Sequence, residues 1–167
     1  MVKVYLSLGS NIGDCESNIA QATMALEVEL NIFNIISSAY YKSEPLYNIV
    51  QPDFINSVVR CNTSLKPFDF FDITKKIEKM LGKKKNVEKN QPRIIDIDII
   101  FFGDSIIETE QLTIPHPHFQ FRKFVLIPLI EIEPNFKIPN SNILISNFLK
   151  NCPDKSDVRI HNMESQA

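Results

Sequence analysis

The rhythm of hydrophobic and polar positions divides the chain into short segments. VKVYLSL (2–8) alternates and is rich in strand formers, which predicts a strand ending at Gly9, and GSNIGD then reads as a turn. From Cys15 to Leu30 the apolar residues Ile19, Ala22, Ala25 (or Leu26) and Leu30 recur at helical spacing, with Asp14 as the N-cap. Ile32–Lys42 reads as one long strand, SEPLYNIVQP as a loop and Phe54–Thr63 as another strand, the two strands making a long hairpin. Pro67 opens a second helix running to Leu81, with Phe68, Phe71, Ile77 and Leu81 on one side and Gly82 as its C-cap. KKKNVEKNQP is a basic loop, and Ile94–Phe102 is the fourth strand.

The order β-α-β-β-α-β is the split βαβ arrangement. It predicts an α+β fold with a ferredoxin-like core: an antiparallel sheet carrying both helices on one face. Ser105–Leu149 reads as an extension with two short strands, a PHPHF turn, a helix over Phe121–Ile132 and a short helix from Ile143. That extension makes the expected architecture a three-layer α/β/α. Residues 1–152 are expected to form a single domain and residues 153–167 a polar, frayed tail.

Composition changes this picture little. Apolar residues make up 44% and charged residues 23% of the 167, ordinary values for a globular chain. No apolar run approaches the ~20 residues that cross a bilayer, so the expectation is a cytoplasmic protein without a membrane role. A net charge of −2 argues against a general nucleic-acid binder, which needs a basic surface. Cys15, Cys61 and Cys152 are odd in number and lack zinc-ligand spacing, so they read as plain thiols. Lysine outnumbers arginine 14 to 4, so lysine can stand where another genome writes arginine.

The unusual stretch is PRIIDIDIIFFGD (92–104), a strand former interrupted by Asp96 and Asp98. Alternation points both carboxylates to one face, about 7 Å apart, with Ile95, Ile97 and Ile99 on the other. Like charges held so close resist burial unless a cation neutralises them, and hard oxygen donors suit Mg²⁺. An acidic outer face on a half-exposed strand is the alternative reading. Position favours the first, because the pair follows a cluster of Lys83, Lys84, Lys85, Lys89 and Arg93 that can hold phosphate. That cluster, fixed between Gly82 and Pro92, suits a flap over a ligand, although a solvated charge run looks the same. GSNIGD lacks the ending of a phosphate-binding P-loop. Phe54 and Asn56 share a strand face, where an amide beside an aromatic could read a planar heterocycle. His116 between prolines reads more readily as structural than catalytic, and Phe124 in an apolar helix as core.

Taken together, SLGSNIGD, SEPL…QPDFIN, IEKMLGKKK…PRIIDIDIIFFG and LTIPHPHFQFRKFVLIPLIEIEP resemble the 6-hydroxymethyl-7,8-dihydropterin pyrophosphokinase family of folate synthesis, across residues 4 to about 136. The resemblance implies transfer of an intact pyrophosphoryl group from ATP to the hydroxymethyl oxygen of 6-hydroxymethyl-7,8-dihydropterin, releasing AMP. It implies that Asp96 and Asp98 hold two Mg²⁺ ions, that Arg93, His116 and Arg122 contact phosphates, and that Lys85 adds a further cation. It places Ile99 and Thr113 at the adenine, and Ser43, Leu46, Phe54, Asn56 and Phe124 around the pterin. Glu78 matches an acidic position near the site. The expected enzyme is a monomer acting on small molecules, with no nucleic-acid or membrane partner.

Departures from the family pattern concentrate in the flap, where lysines replace arginines and Asn90 stands at the position of a covering tryptophan. Lysine lacks the bidentate geometry of arginine, and Asn90 cannot stack. Two rivals share parts of the pattern. A ferredoxin-like RNA-binding module would show aromatic and basic residues where this strand shows DxD, and a Mg²⁺-dependent phosphohydrolase would use the same carboxylates on water.

Overall fold

The structure is a computed structural model in which residues 1–47, 50–83 and 91–162 are described. Its centre is an antiparallel sheet of six strands, β1 (Val2–Ser10), β2 (Ile32–Ser37), β3 (Tyr41–Ser43), β4 (Phe54–Thr63), β5 (Asp96–Phe102) and β8 (Val158–Ile160). They are ordered β5-β1-β4-β3-β8, with β2 also on β4. Strands β6 (Ile107–Glu108) and β7 (Thr113–Ile114) form a separate small ribbon. The helices are α1 (Cys15–Glu27), α2 (Pro67–Met80), α3 (Lys123–Ile132) and α4 (Ile145–Lys150). Among the described residues no helix is long and apolar enough to cross a membrane.

Alternation along β1 and β5 divides the interior in two. Val4, Leu6, Leu8, Ile97 and Ile99 pack against Ile19, Leu26, Phe70 and Ile77 of α1 and α2. Tyr5, Ile100 and Phe101 face the other way, toward Val125, Leu126 and Leu129 of α3 and Ile145 of α4. Each of these large buried side chains contributes roughly 1.5–3 kcal/mol. Helices therefore cover both faces. The α3–α4 layer packs on the half of its face that carries Tyr5, Val58 and Ile100; beyond it, Ser7, Gly9, Asn56, Asp96 and Asp98 line a cleft.

Gly9 belongs to this close-packed floor, since a Cβ there would lie 3.1 Å from Asn56 Oδ1. Gly103, which turns the chain after β5 at φ +50°, has a stricter reason: a Cβ would come within 2.4 Å of Val2 Cγ1.

Several elements differ from their sequence expectation. The long strand expected over Ile32–Lys42 is interrupted between Ser37 and Tyr41. There the Ser38 hydroxyl accepts from Val58 N (3.0 Å), and the Glu131 carboxylate accepts Ala39 N at 3.0 and 3.2 Å. Helix α1 ends at Glu27, leaving Leu30 exposed; α2 packs Phe71, Ile77 and its C-cap Leu81 on the core as expected but leaves Phe68 exposed and buries Phe70, Thr74 and Glu78 besides. Strand β5 starts at Asp96 rather than Ile94, and the helix expected from Phe121 starts at Lys123 after a single 3-10 turn, Phe119–Phe121. The expected fraying past Cys152 is also corrected: β8 pairs with β3 through Tyr41–Ile160, Lys42–Arg159 and Ser43–Val158, satisfying an edge that would otherwise be open.

Candidate active site

The DxD pair sits at the start of β5, where its partners across β1 are Gly9 for Asp96 and Ser7 for Asp98. Both small residues leave room above the sheet. The cleft that opens there, about 300 Å³, is bounded on one side by Arg93, Asp96, Asp98, His116 and Arg122. Ser43, Leu46, Phe54 and Asn56 line it from β3, β4 and the residues between, and Phe124 joins from the start of α3. Ile99 and Thr113 line a second depression of about 290 Å³, bordered by Phe71 and Pro117. Asp98 and His116 line both, so the two depressions meet at these side chains. Lys85, Lys89 and Asn90 lie outside the described residues.

The two carboxylates have unlike surroundings. Asp96 accepts from Lys83 Nζ and Arg93 Nη1, each at 2.5 Å. Burial opposes its ionisation, but the Lys83 ammonium and the Arg93 guanidinium outweigh burial and hold the carboxyl at about 2. Among the described residues Asp98 has no comparable cation, and pairs only with His116 Nε2, at 3.9 Å. Burial first, and then the adjacent Asp96 charge, push it up to about 6 against the pull of Lys75 and Arg122. The strand thus presents one compensated carboxylate and one in need of a cation.

Glu78 of α2 lies beneath this pair and is only 2% exposed. Its Oε1 accepts from Lys83 Nζ at 2.9 Å and from the backbone N of Ile97, between the two aspartates, at 2.7 Å; Oε2 pairs with Lys75 at 3.0 Å. Glu78 therefore anchors both the strand and the lysine that neutralises Asp96. Glu78→Ala should strand the buried amide of Ile97 and remove one partner each from the part-buried Lys83 and Lys75, lowering stability by about 2 kcal/mol, visible as a lower urea midpoint.

His116 is fixed as a neutral donor. The backbone N of His118 donates to Nδ1 at 3.2 Å, leaving the ring proton on Nε2, the atom nearest Asp98. Burial and then the Arg122 charge drop its pKa to about 4. Arg122 itself stands against the rings of Phe124 (5.7 Å) and Tyr47 (6.0 Å), and its Nε is buried without a hydrogen-bond partner. A donor so placed is satisfied when an acceptor enters the cleft.

The GSNIGD turn works as a clamp. Asn11, buried at its centre, donates through Nδ2 to Gln51 Oε1 and Pro52 O, both at 3.1 Å, and accepts through Oδ1 from Arg93 N at 2.8 Å. One amide thus joins the β1 turn, the loop before β4 and the approach to β5. On the opposite wall Asn56 Nδ2 donates to Ser43 Oγ at 2.9 Å, tying β4 to β3. Sequence reading missed Asn11, Tyr47 and the pairing of Lys83 with Asp96. For Asn11 the available signal was an amide between two glycines in a turn too short to bind phosphate.

A carboxylate pair flanked by cations, at the junction of two depressions, is the layout of an enzyme that transfers phosphate-bearing groups. Comparison with known proteins makes the class specific. The family model of 7,8-dihydro-6-hydroxymethylpterin-pyrophosphokinase (HPPK) matches residues 5–134, and the chain belongs to this family. It is 34% identical over 161 residues to the 2-amino-4-hydroxy-6-hydroxymethyldihydropteridine pyrophosphokinase of Haemophilus influenzae, covering 96% of this chain and 99% of that one. It is 40% identical over 160 residues to the folic acid synthesis protein FOL1 of Dictyostelium discoideum, covering 96% of this chain but only 24% of that longer protein. In fold it is similar to a Plasmodium falciparum HPPK-DHPS crystal structure, with a TM-score of 0.68 and 18% identity over 90% of this chain and 42% of that one.

Proposed function

We propose that the chain transfers the pyrophosphoryl group of ATP intact to the hydroxymethyl oxygen of 6-hydroxymethyl-7,8-dihydropterin, releasing AMP, as a cytoplasmic monomer in folate synthesis. The observation that carries this reading is the meeting of the two depressions at Asp98 and His116, which lets two substrates approach one acidic centre from opposite sides. The sheet that holds them is read as a ferredoxin-like core, on the strand order β5-β1-β4 followed by β2 and β3.

The pterin occupies the larger cleft. Phe124 stacks on its ring, Phe54 and Leu46 bound it, and Asn56 with Ser43 faces its polar edge. The adenine lies over Ile99 and Thr113. The triphosphate then crosses the border between the two, where Arg122 and the Nε2–H of His116 donate to its oxygens and Arg93 adds positive charge. Holding acceptor and donor in line converts an encounter into an intramolecular step, and most of the catalysis falls to positioning and charge. Lys85 is assigned to phosphate on sequence grounds alone.

Two Mg²⁺ ions suit the donor set. Asp96 and Asp98 offer hard oxygens on one strand face, and the raised pKa of Asp98 marks negative charge that its neighbours leave uncompensated. Among the described residues no third carboxylate, histidine or cysteine completes a metal cluster, so Asp96 and Asp98 are the residues that would hold the metal. Bound there, the metal would neutralise the negative charge of the phosphates.

The test is product analysis. Protein, MgATP and reduced hydroxymethylpterin should yield AMP and pterin pyrophosphate in equal amounts. Formation of ADP, or of phosphate in the absence of pterin, overturns the proposal.

A further inference from the structure

We propose that Asp154, in the segment after α4, is a positioning residue that sets the pterin cleft by fastening its two walls. The inference rests on the assignment of Phe124 to the pterin and Arg122 to phosphate. Arg122 precedes α3 and Phe124 lies in its first turn, and that turn has no cap of its own, because Arg122 makes no side-chain capping bond. Asp154 supplies the cap from 31 residues away. Its Oδ2 accepts from Lys123 N at 2.9 Å and its Oδ1 accepts from Ser156 N at 2.8 Å, with the residue 7% exposed. A carboxylate there also complements the positive end of the helix.

The chain running on from Asp154 reaches the facing wall. Asp157 N donates to Glu44 Oε2 at 3.4 Å, Val158 pairs with Ser43 in the sheet, and His161 N donates to Tyr40 O at 2.8 Å. The His161 ring then meets Glu16 Oε1 of α1 at 2.5 Å. Ser43 and Glu44, at the end of β3, line the same cleft as Arg122 and Phe124 of the α3 start. One segment of about ten residues therefore touches both sides of the opening, and Asp154 is its buried fixed point. It lies beyond residue 134, where the family match ends.

The consequence is selective. Releasing Asp154 frees the α3 terminus and the β3 wall, while the Ile99–Thr113 depression, built on β5 and β7, keeps its supports. Asp154→Ala should raise the pterin Kd and KM about tenfold, the loss of the charged acceptor at Lys123 N, with affinity for a non-hydrolysable ATP analogue lowered clearly less, since Arg122 is its one phosphate contact at the freed terminus. Asp154→Asn, which keeps an acceptor oxygen, should recover most of the pterin affinity. A lower Tm with unchanged pterin affinity makes the segment merely structural and overturns the proposal, as does equal weakening of pterin and nucleotide. Amide hydrogen exchange on the same variants gives a ligand-free readout: Lys123–Val125 and Ser43 should exchange faster in Asp154→Ala, and unchanged exchange there overturns the proposal. If the wild-type chain fails to bind pterin, the functional assignment falls, and the exchange rates still decide the role of Asp154.

Discussion

Asp98→Asn is expected to raise the melting temperature at neutral pH while reducing pyrophosphoryl transfer by about 10³-fold or more, the scale associated with losing a group that stabilises transition-state charge. The stability gain follows from linkage. Asp98 has a folded-state pKa raised from 3.8 to about 6, so the native protein takes up its proton more readily than the unfolded chain. Its ionised form costs stability above pH 6, and the cost shrinks as the pH falls through 6 toward 4. Since the side chain is 35% exposed, solvent screening reduces the gain from removing the charge to about 1–2 kcal/mol. At roughly 2–4 °C per kcal/mol this is a visible shift. Melts of wild type and variant without magnesium, at pH 8 and pH 4.5, should diverge at the first and converge at the second. A variant less stable at pH 8 would show that the Asp98 charge is compensated in the free protein.

Asp96→Asn should be equally inactive, with the opposite effect on stability. Its folded pKa lies below 3.8, so its ion pairs with Lys83 and Arg93 stabilise the protein above that value and are lost only as the pH falls toward 2. Removing the charge leaves an ammonium and a guanidinium facing one neutral amide, at a cost of about 2 kcal/mol at pH 7. Repulsion between adjacent aspartates, taken alone, would make both positions dispensable for folding. The structure restricts it to Asp98, because Asp96 is the residue that received the cations. Equal urea midpoints for Asp96→Asn and wild type would refute the pairing.

What was legible in the sequence was carried by local physics. Strict alternation in VKVYLSL, the Asp14 cap, Pro67 at a helix start and the same-face geometry of Asp96 and Asp98 need no knowledge of distant residues. Ten side chains expected to act together line one cleft, and the two assigned to adenine line the depression beside it. What stayed hidden depends on long-range partners. The interruption at Ser38–Tyr40 is sustained by Glu131, some ninety residues away, and nothing in IISSAYYK announces it. VRI in a polar stretch becomes a strand only because β3 presents a free edge. Lys83 read as one of several flap cations, yet its partners Glu78 and Asp96 come from the preceding helix and the following strand.

The division of labour along β1 and β5 has a further implication. Each strand spends part of its length stabilising the molecule and the rest flooring the cleft, so the floor is as stiff as the hydrophobic interior beneath it. Evolution toward a different heterocycle would then proceed through the rim, at residues such as Leu46, Tyr47 and Phe124, whereas a change at Ser7 or Gly9 would be felt in thermal stability before it altered substrate preference.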